Sequence, residues 1–413
     1  MLENAFKHVI RDKTLCKNPL AIYLQPFATS LIEDGYPDRT IQWKLELVGG
    51  FGQWLRRSRV LVTDVNEQLI ETFIEDRHRV RRIHRNDRRT FNQFLDHLRK
   101  RGVVPSPKPI RDQSPLVDTL NRYERYLRSE RGLATATIIN YESFLQKFLT
   151  KRFGERPFLF RQLRASDISD FVLRHVDGMS RGRAQIMTTA FRSFFRFLFR
   201  NGDLQVDLAA SVPTVAHWRL STVPKYMIPE QVKRVLETCD RQTAVGRRDY
   251  AIFLLLARLG LRAGEIVSLE LDDIDWRAGE ILVRGKGSRH DRMPLAADIG
   301  EALTAYLRSD RPACRTRRVF VRTNAPRRGF AGASTVSAIV RCALERADLH
   351  PAFKGAHLLR HSLATSMLRS GATMGEIGEV LRHRLSKTTE IYAKIDFDAL
   401  RSLAHPWPVG GGR

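Results

Sequence analysis

Leu381-Arg382-His383-Arg384-Leu385-Ser386-Lys387-Thr388-Thr389-Glu390-Ile391-Tyr392-Ala393-Lys394 places a histidine nine residues ahead of a tyrosine in a stretch crowded with basic side chains. Alone, such a tyrosine is ordinarily packing; the segments upstream change its reading. In His357-Leu358-Leu359-Arg360-His361, Arg360 lies three residues and His361 four from His357, roughly on one face of a helix. Further back, Leu259-Gly260-Leu261-Arg262-Ala263-Gly264-Glu265 follows an apolar helix expected from Asp249 to Leu259, so a rigid element delivers the Arg262 guanidinium, with Glu265 near enough to hold it. Between these motifs, Glu280 to Arg284 and Arg289 to Met293 flank Gly285-Lys286-Gly287-Ser288, the pattern of a β-hairpin that presents Lys286 at its tip.

Metal chemistry is a poor reading of the same residues. The His357 and His361 pair has no acid or cysteine at the spacing zinc hydrolases use. Asp272, Asp273 and Asp275 lead more naturally into the hairpin than they bind magnesium as a nuclease would. Cys16, Cys239, Cys314 and Cys342 form no C-x-x-C and read as free thiols of a reducing compartment. The longest apolar run, Ala251 to Ala257, is too short to span a membrane, and Met1 to Lys17 has no apolar signal core; a cytoplasmic protein is expected. A formal charge of +25 over 413 residues needs a polyanionic partner, nucleic acid being the commonest. Of the 70 basic residues 56 are arginine, which suits bidentate phosphate contacts but equally a GC-rich genome.

Two proline-punctuated stretches, Val103 to Pro115 and Val212 to Pro229, divide the chain into three segments, expected as domains over 1–110, 111–215 and 216–413. The first two look alike at an offset of about 100 residues, as duplicated units do. Phe91, Phe94, Leu95, Leu98 and Gly102 match Phe191, Phe194, Phe195, Leu198 and Gly202, an apolar helical stripe closed by glycine. Thr63-Asp64-Val65 and Ser166-Asp167-Ile168 read as helix N-caps, and Thr40-Ile41 and Thr137-Ile138 open the preceding helices. The arginines at 77, 79, 81, 82, 85, 88 and 89 either extend a DNA footprint or line a solvated helix face. After Tyr392, Phe397, Leu400, Leu403 and Trp407 make another apolar stripe. The fold class expected is mainly α with a small β-sheet: one or two helical bundles, then an α+β domain.

In order and context, Arg262, Lys286, His357, Arg360, His383 and Tyr392 closely resemble the catalytic domain of tyrosine recombinases, the phage integrase family, over nearly all of 229–394. The segment from Ser114 to Val212 resembles that family's helical core-binding domain. One departure is Arg382, where glycine commonly precedes the histidine. The resemblance implies a site-specific recombinase or integrase that cuts DNA by forming a 3′-phosphotyrosyl bond, stores the energy there and rejoins the strand without metal, ATP or other cofactor. Tyr392 is then the nucleophile, with His357 helping to remove its proton. Arg262 and Arg360 carry the non-bridging oxygens, Lys286 protonates the leaving oxygen, His383 completes the cage and Glu265 supports Arg262. The expected partners are double-stranded DNA carrying specific sites and a homo-tetramer on it, to which the tail beyond Tyr392 would dock between protomers. Other recombinases or accessory proteins stay open as partners. A type IB topoisomerase shares the chemistry, and a non-catalytic DNA-binding regulator could share the fold.

Overall fold

The computed structural model describes residues 18–79, 86–106, 115–154, 159–215, 224–285, 290–395 and 401. Residues 106–221 form one compact unit, and the segments on either side of them together form another. The fold is mainly helical with one small antiparallel sheet.

The first segment is a bundle of α1 (Ala21–Glu33), α2 (Asp38–Arg57), α3 (Glu67–His78) and α4 (Asp87–Lys100). Its apolar stripes meet in a core in which Phe27, Phe51, Phe91 and Phe94 are all fully enclosed. Phe27 meets Phe94 edge-on at 5.1 Å and Phe51 meets Phe91 at 5.4 Å, geometry that adds to simple burial. Asn66, not Thr63, caps α3, its side chain accepting from Leu69 N at 3.0 Å; Thr63 and Asp64 belong to a 3₁₀ turn just before it. Of the arginine run, Arg88 Nε donates to Glu71 at 3.0 Å, while Arg81, Arg82 and Arg85 lie outside the described residues. This bundle has its own core, yet it packs on the C-terminal segment: Arg327 N–H donates to Asp34 O at 2.8 Å, and Arg315 pairs with Glu33 at 2.7 Å. Gly35, at φ 79°, permits the approach, since a Cβ there would stand 2.3 Å from the Arg327 side chain.

The unit over 106–221 repeats the plan with α5 (Pro115–Ser129), α6 (Thr135–Phe153), α7 (Ala165–Val176) and α8 (Arg181–Arg200) around Tyr123, Phe148, Phe191, Phe194 and Phe195. A 3₁₀ turn again precedes the third helix. The last helix of each bundle ends identically. Gly102 (φ 70°) and Gly202 (φ 76°) donate to Arg99 O and Phe199 O, and the next residues, Val103 and Asp203, donate to Leu98 O and Leu198 O. Both are Schellman closures, which need a residue in the left-handed region and so select glycine. Thr40 and Thr137 are each the third residue of the second helix, followed by buried Ile41 and Ile138. Ser166-Asp167-Ile168 falls inside the first turn of α7, where the Asp167 carboxylate accepts from Arg164 N at 3.0 Å.

The C-terminal segment begins with α9 (Pro229–Glu237) and α10 (Ala244–Arg258), the latter capped by Thr243 and buried from Ala251 to Leu256. That all-round burial is why its sequence is apolar without a polar face. A short helix, α11 (Ala263–Ser268), leads into β1 (Ile274–Asp275), β2 (Glu280–Arg284) and β3 (His290–Pro294), paired antiparallel in chain order. Ile281 opposes Met293 and Val283 opposes Asp291, turning Ile281, Val283 and Met293 inward. The acids build this approach. Asp273 pairs with Arg284 at 2.8 Å, Asp272 with Arg317, and Asp275 Oδ1 accepts from Arg277 N and Ala278 N in the turn. Helices α12 (Ala297–Ser309), α13 (Ala333–Arg346), α14 (His357–Arg369) and α15 (Met374–Val380) follow, then 3₁₀ turns over Ser386–Thr388 and Glu390–Ile395. Helix α10 packs against α12 and α14, and α11 against α13. No described helix is long and apolar enough to cross a membrane.

Candidate active site

Where α10 ends, Gly260 turns the chain at φ 58° and exposes its carbonyl to Arg360 Nη1. A Cβ at Gly260 would sit 2.7 Å from the Leu381 side chain, so both conformation and space require glycine. Two residues on, Arg262 stands at the N-cap of α11, and Glu265 on the first turn folds back to it. The Glu265 carboxylate accepts the Arg262 backbone N–H at 2.8 Å and its Nη1 at 2.7 Å, the acidic half of a capping box used to aim a guanidinium. Arg360, from the first turn of α14, is buried and also donates to Leu381 O through Nη2. Burial, then the neighbouring Arg262 and Arg382, lower it to about 10, so it stays charged at neutral pH. Glu265 sits below the ordinary carboxylate range: burial alone would raise it, but the Arg262 N–H, the Arg382 charge and the Arg262 side chain together outweigh that.

Three histidines and the tyrosine complete the cluster. His357 keeps solvent-facing surface, and its pKa is lowered by loss of hydration, then by Arg360 and Arg262. His383 Nδ1 lies 2.8 Å from Thr389 Oγ1; burial, then Arg360 and Arg262, bring it down to about 4. Tyr392 is 1% exposed, packed with Ala364, Ile377, Leu381 and Ile395. Its hydroxyl is hydrogen-bonded with His361 Nδ1 at 2.8 Å. Burial raises the phenol to about 12, against the pull of Arg360. His361 itself falls to about 4 through burial, then His357 and Arg360. The sequence reading gave the place beside the tyrosine to His357; the structure gives it to His361, one turn further along α14. Lys286 lies outside the described residues, as does the stripe from Phe397 to Trp407. Among the described residues no group of three or more His, Cys, Asp or Glu could hold a metal ion.

A cluster of buried guanidiniums, neutral imidazoles and one tyrosine suits a phosphodiester, and comparison with known proteins agrees. Residues 225–398 match the model of the phage integrase family, and 120–202 that of the phage integrase N-terminal SAM-like domain. The inferred integrase/recombinase y4rA of Sinorhizobium fredii is 45% identical over 393 residues, 95% of each chain. The chain belongs to the phage integrase family. It is a tyrosine recombinase, an enzyme of site-specific DNA recombination. The tyrosine recombinase XerC of Shewanella amazonensis is 30% identical over 70% of this chain and 95% of its own. Among solved structures, a lambda integrase tetramer bound to a Holliday junction shares the fold, with a TM-score of 0.52 and 18% identity over 75% of this chain and 88% of that one.

The sequence reading of this recombinase missed two contacts. His361 was legible only as half of a histidine pair, although its adjacency to Arg360 was the available signal. Arg382 stood out only as a departure from glycine, and its side chain enters the cluster through Glu265 at 2.8 Å.

Proposed function

We propose that this recombinase cuts one DNA strand by attack of Tyr392 on a phosphodiester held by Arg262 and Arg360, leaving a 3′-phosphotyrosyl bond that a 5′ hydroxyl later reverses. The convergence of Arg262, His357, His383 and Tyr392 around Arg360, with Glu265 holding Arg262, carries this reading. Two fixed guanidiniums can neutralise charge on the non-bridging oxygens of the pentacovalent transition state, the work a metal ion does elsewhere. In this reading His357, with its solvent-facing surface, and His383 hydrogen-bond the phosphate. His361 takes the tyrosine proton, and Lys286, which follows β2 in the sequence, protonates the departing 5′ oxygen. Atoms and charge then balance with no cofactor.

The substrate is double-stranded DNA bearing specific sites. Exchange between two duplexes needs four cuts and hence four protomers, an assembly of the kind named for lambda integrase on a Holliday junction. The stripe of Phe397, Leu400, Leu403 and Trp407 would join neighbours in that tetramer. Expressing the protein beside its native flanking DNA and sequencing the junctions tests the reading. New precise junctions with the wild-type chain and none with Tyr392→Phe are expected; junctions that persist with Tyr392→Phe would contradict it.

A further inference from the structure

Arg382 stands at φ 53°, in the left-handed region where glycine is the ordinary residue. A long charged residue held in such a conformation directs attention to its side chain. That side chain is 6% exposed. Its Nη2 donates to Glu265 Oε2 at 2.8 Å, and Nη1 reaches Leu259 O at 3.3 Å, Val380 O at 3.2 Å and the Met293 sulfur. The Arg382 carbonyl in turn accepts from Arg262 Nη2 at 3.3 Å. Arg382 therefore meets Arg262 twice, through a shared carboxylate and through its own backbone.

Charge makes the arrangement purposeful. A buried carboxylate that aims Arg262 also cancels its field, and this matters more in a poorly solvated site than in water. With Arg382 on the other carboxylate oxygen, the trio of Arg262, Glu265 and Arg382 keeps one net positive charge beside Arg360. We propose that Arg382 is a positioning residue for the phosphate pocket: it takes up the charge of Glu265, so that Glu265 orients Arg262 without neutralising it, while its carbonyl fixes the far edge of the same guanidinium. This rests on the reading of Arg262 as a phosphate-holding residue.

The test uses the full chain and a nicked duplex carrying a mapped junction, measuring the single-turnover rate of covalent adduct formation and, separately, affinity for the duplex. Arg382→Gly suits the backbone and is expected to fold. It should slow adduct formation by roughly 10- to 100-fold, below the roughly 10² to 10³ of a lost transition-state donor because Arg382 acts through Arg262, with affinity changed by less than about threefold. Arg382→Lys, which keeps the cation, should recover most of that rate. Because the glycine variant leaves Glu265 free to cancel Arg262, Glu265→Gln added to Arg382→Gly should speed cleavage relative to Arg382→Gly alone, a non-additivity that packing does not produce. Arg382→Gly at the wild-type rate, Arg382→Lys as slow as Arg382→Gly, or a double variant slower than Arg382→Gly would each overturn the inference. Arg262→Ala separates the two levels: if it cleaves at the wild-type rate, the reading of the pocket fails and the inference with it.

Discussion

A phenol at about 12 beside an imidazole at about 4 holds its proton firmly, so Tyr392 and His361 as they stand form a resting pair. A bound phosphate changes both sides of that balance, since its negative charge offsets the arginines that depress the histidines. The same depression sets the pH dependence of stability. His361 and His383 fall to about 4 in the folded chain and return to about 6.5 when it unfolds, so the unfolded state binds more protons between those values. Their contribution is fully present above pH 6.5 and is lost as pH falls toward 4. The melting temperature should therefore drop between pH 7 and pH 5 in scanning calorimetry, and His361→Asn with His383→Asn should flatten that slope; an unchanged slope would contradict it. Gly260→Ala should cost about 1–2 kcal/mol from the left-handed backbone alone, read as a lower urea midpoint, and more because the new methyl meets Leu381. Residue types and order singled out Arg262, Arg360, His383 and Tyr392, which the structure brings together. The partner of Tyr392 was not, because whether His357 or His361 reaches it depends on how the turn over Glu390–Ile395 packs on α14, which no local pattern encodes.

Among the elements, the two bundles were legible because the apolar stripe of their last helices recurs with a glycine at its end, and those glycines make the same Schellman closure. The matching 3₁₀ turns and second-helix starts favour duplication of one ancestral bundle. Helix caps were read less well: Thr63 had the right chemistry for an N-cap, but the chain makes an extra turn and passes that role to Asn66. The docking of the first bundle on the C-terminal segment was invisible in sequence, since among the described residues it uses a backbone hydrogen bond from Arg327 and the Arg315–Glu33 ion pair. That exposed Arg315–Glu33 pair contributes at most about 1 kcal/mol. Burial dominates instead: Phe91→Ala, in the centre of the first core, should destabilise by about 3–5 kcal/mol in urea unfolding. A cost below about 1 kcal/mol would mean that the first core is not packed as described.

At the scale of the whole molecule, a charge of +25 is far more than a two-arginine pocket uses, and the surplus suits a long contact with the DNA backbone. If each protomer neutralises about six to ten phosphates, affinity should fall by roughly 10³ to 10⁵ between 50 and 200 mM salt, measurable by fluorescence anisotropy. A loss under tenfold would place most of that charge away from the DNA. The proposed chemistry puts the broken strand on one tyrosine. The most direct measurement is to trap the protein on a nicked duplex, whose cut fragment diffuses away, in the presence of EDTA, and to map the DNA-linked peptide by mass spectrometry. A single adduct, through a 3′ phosphate, on the peptide containing Tyr392 is expected, and none with Tyr392→Phe. An adduct on another residue such as Tyr306, or one that requires a divalent metal, would contradict it.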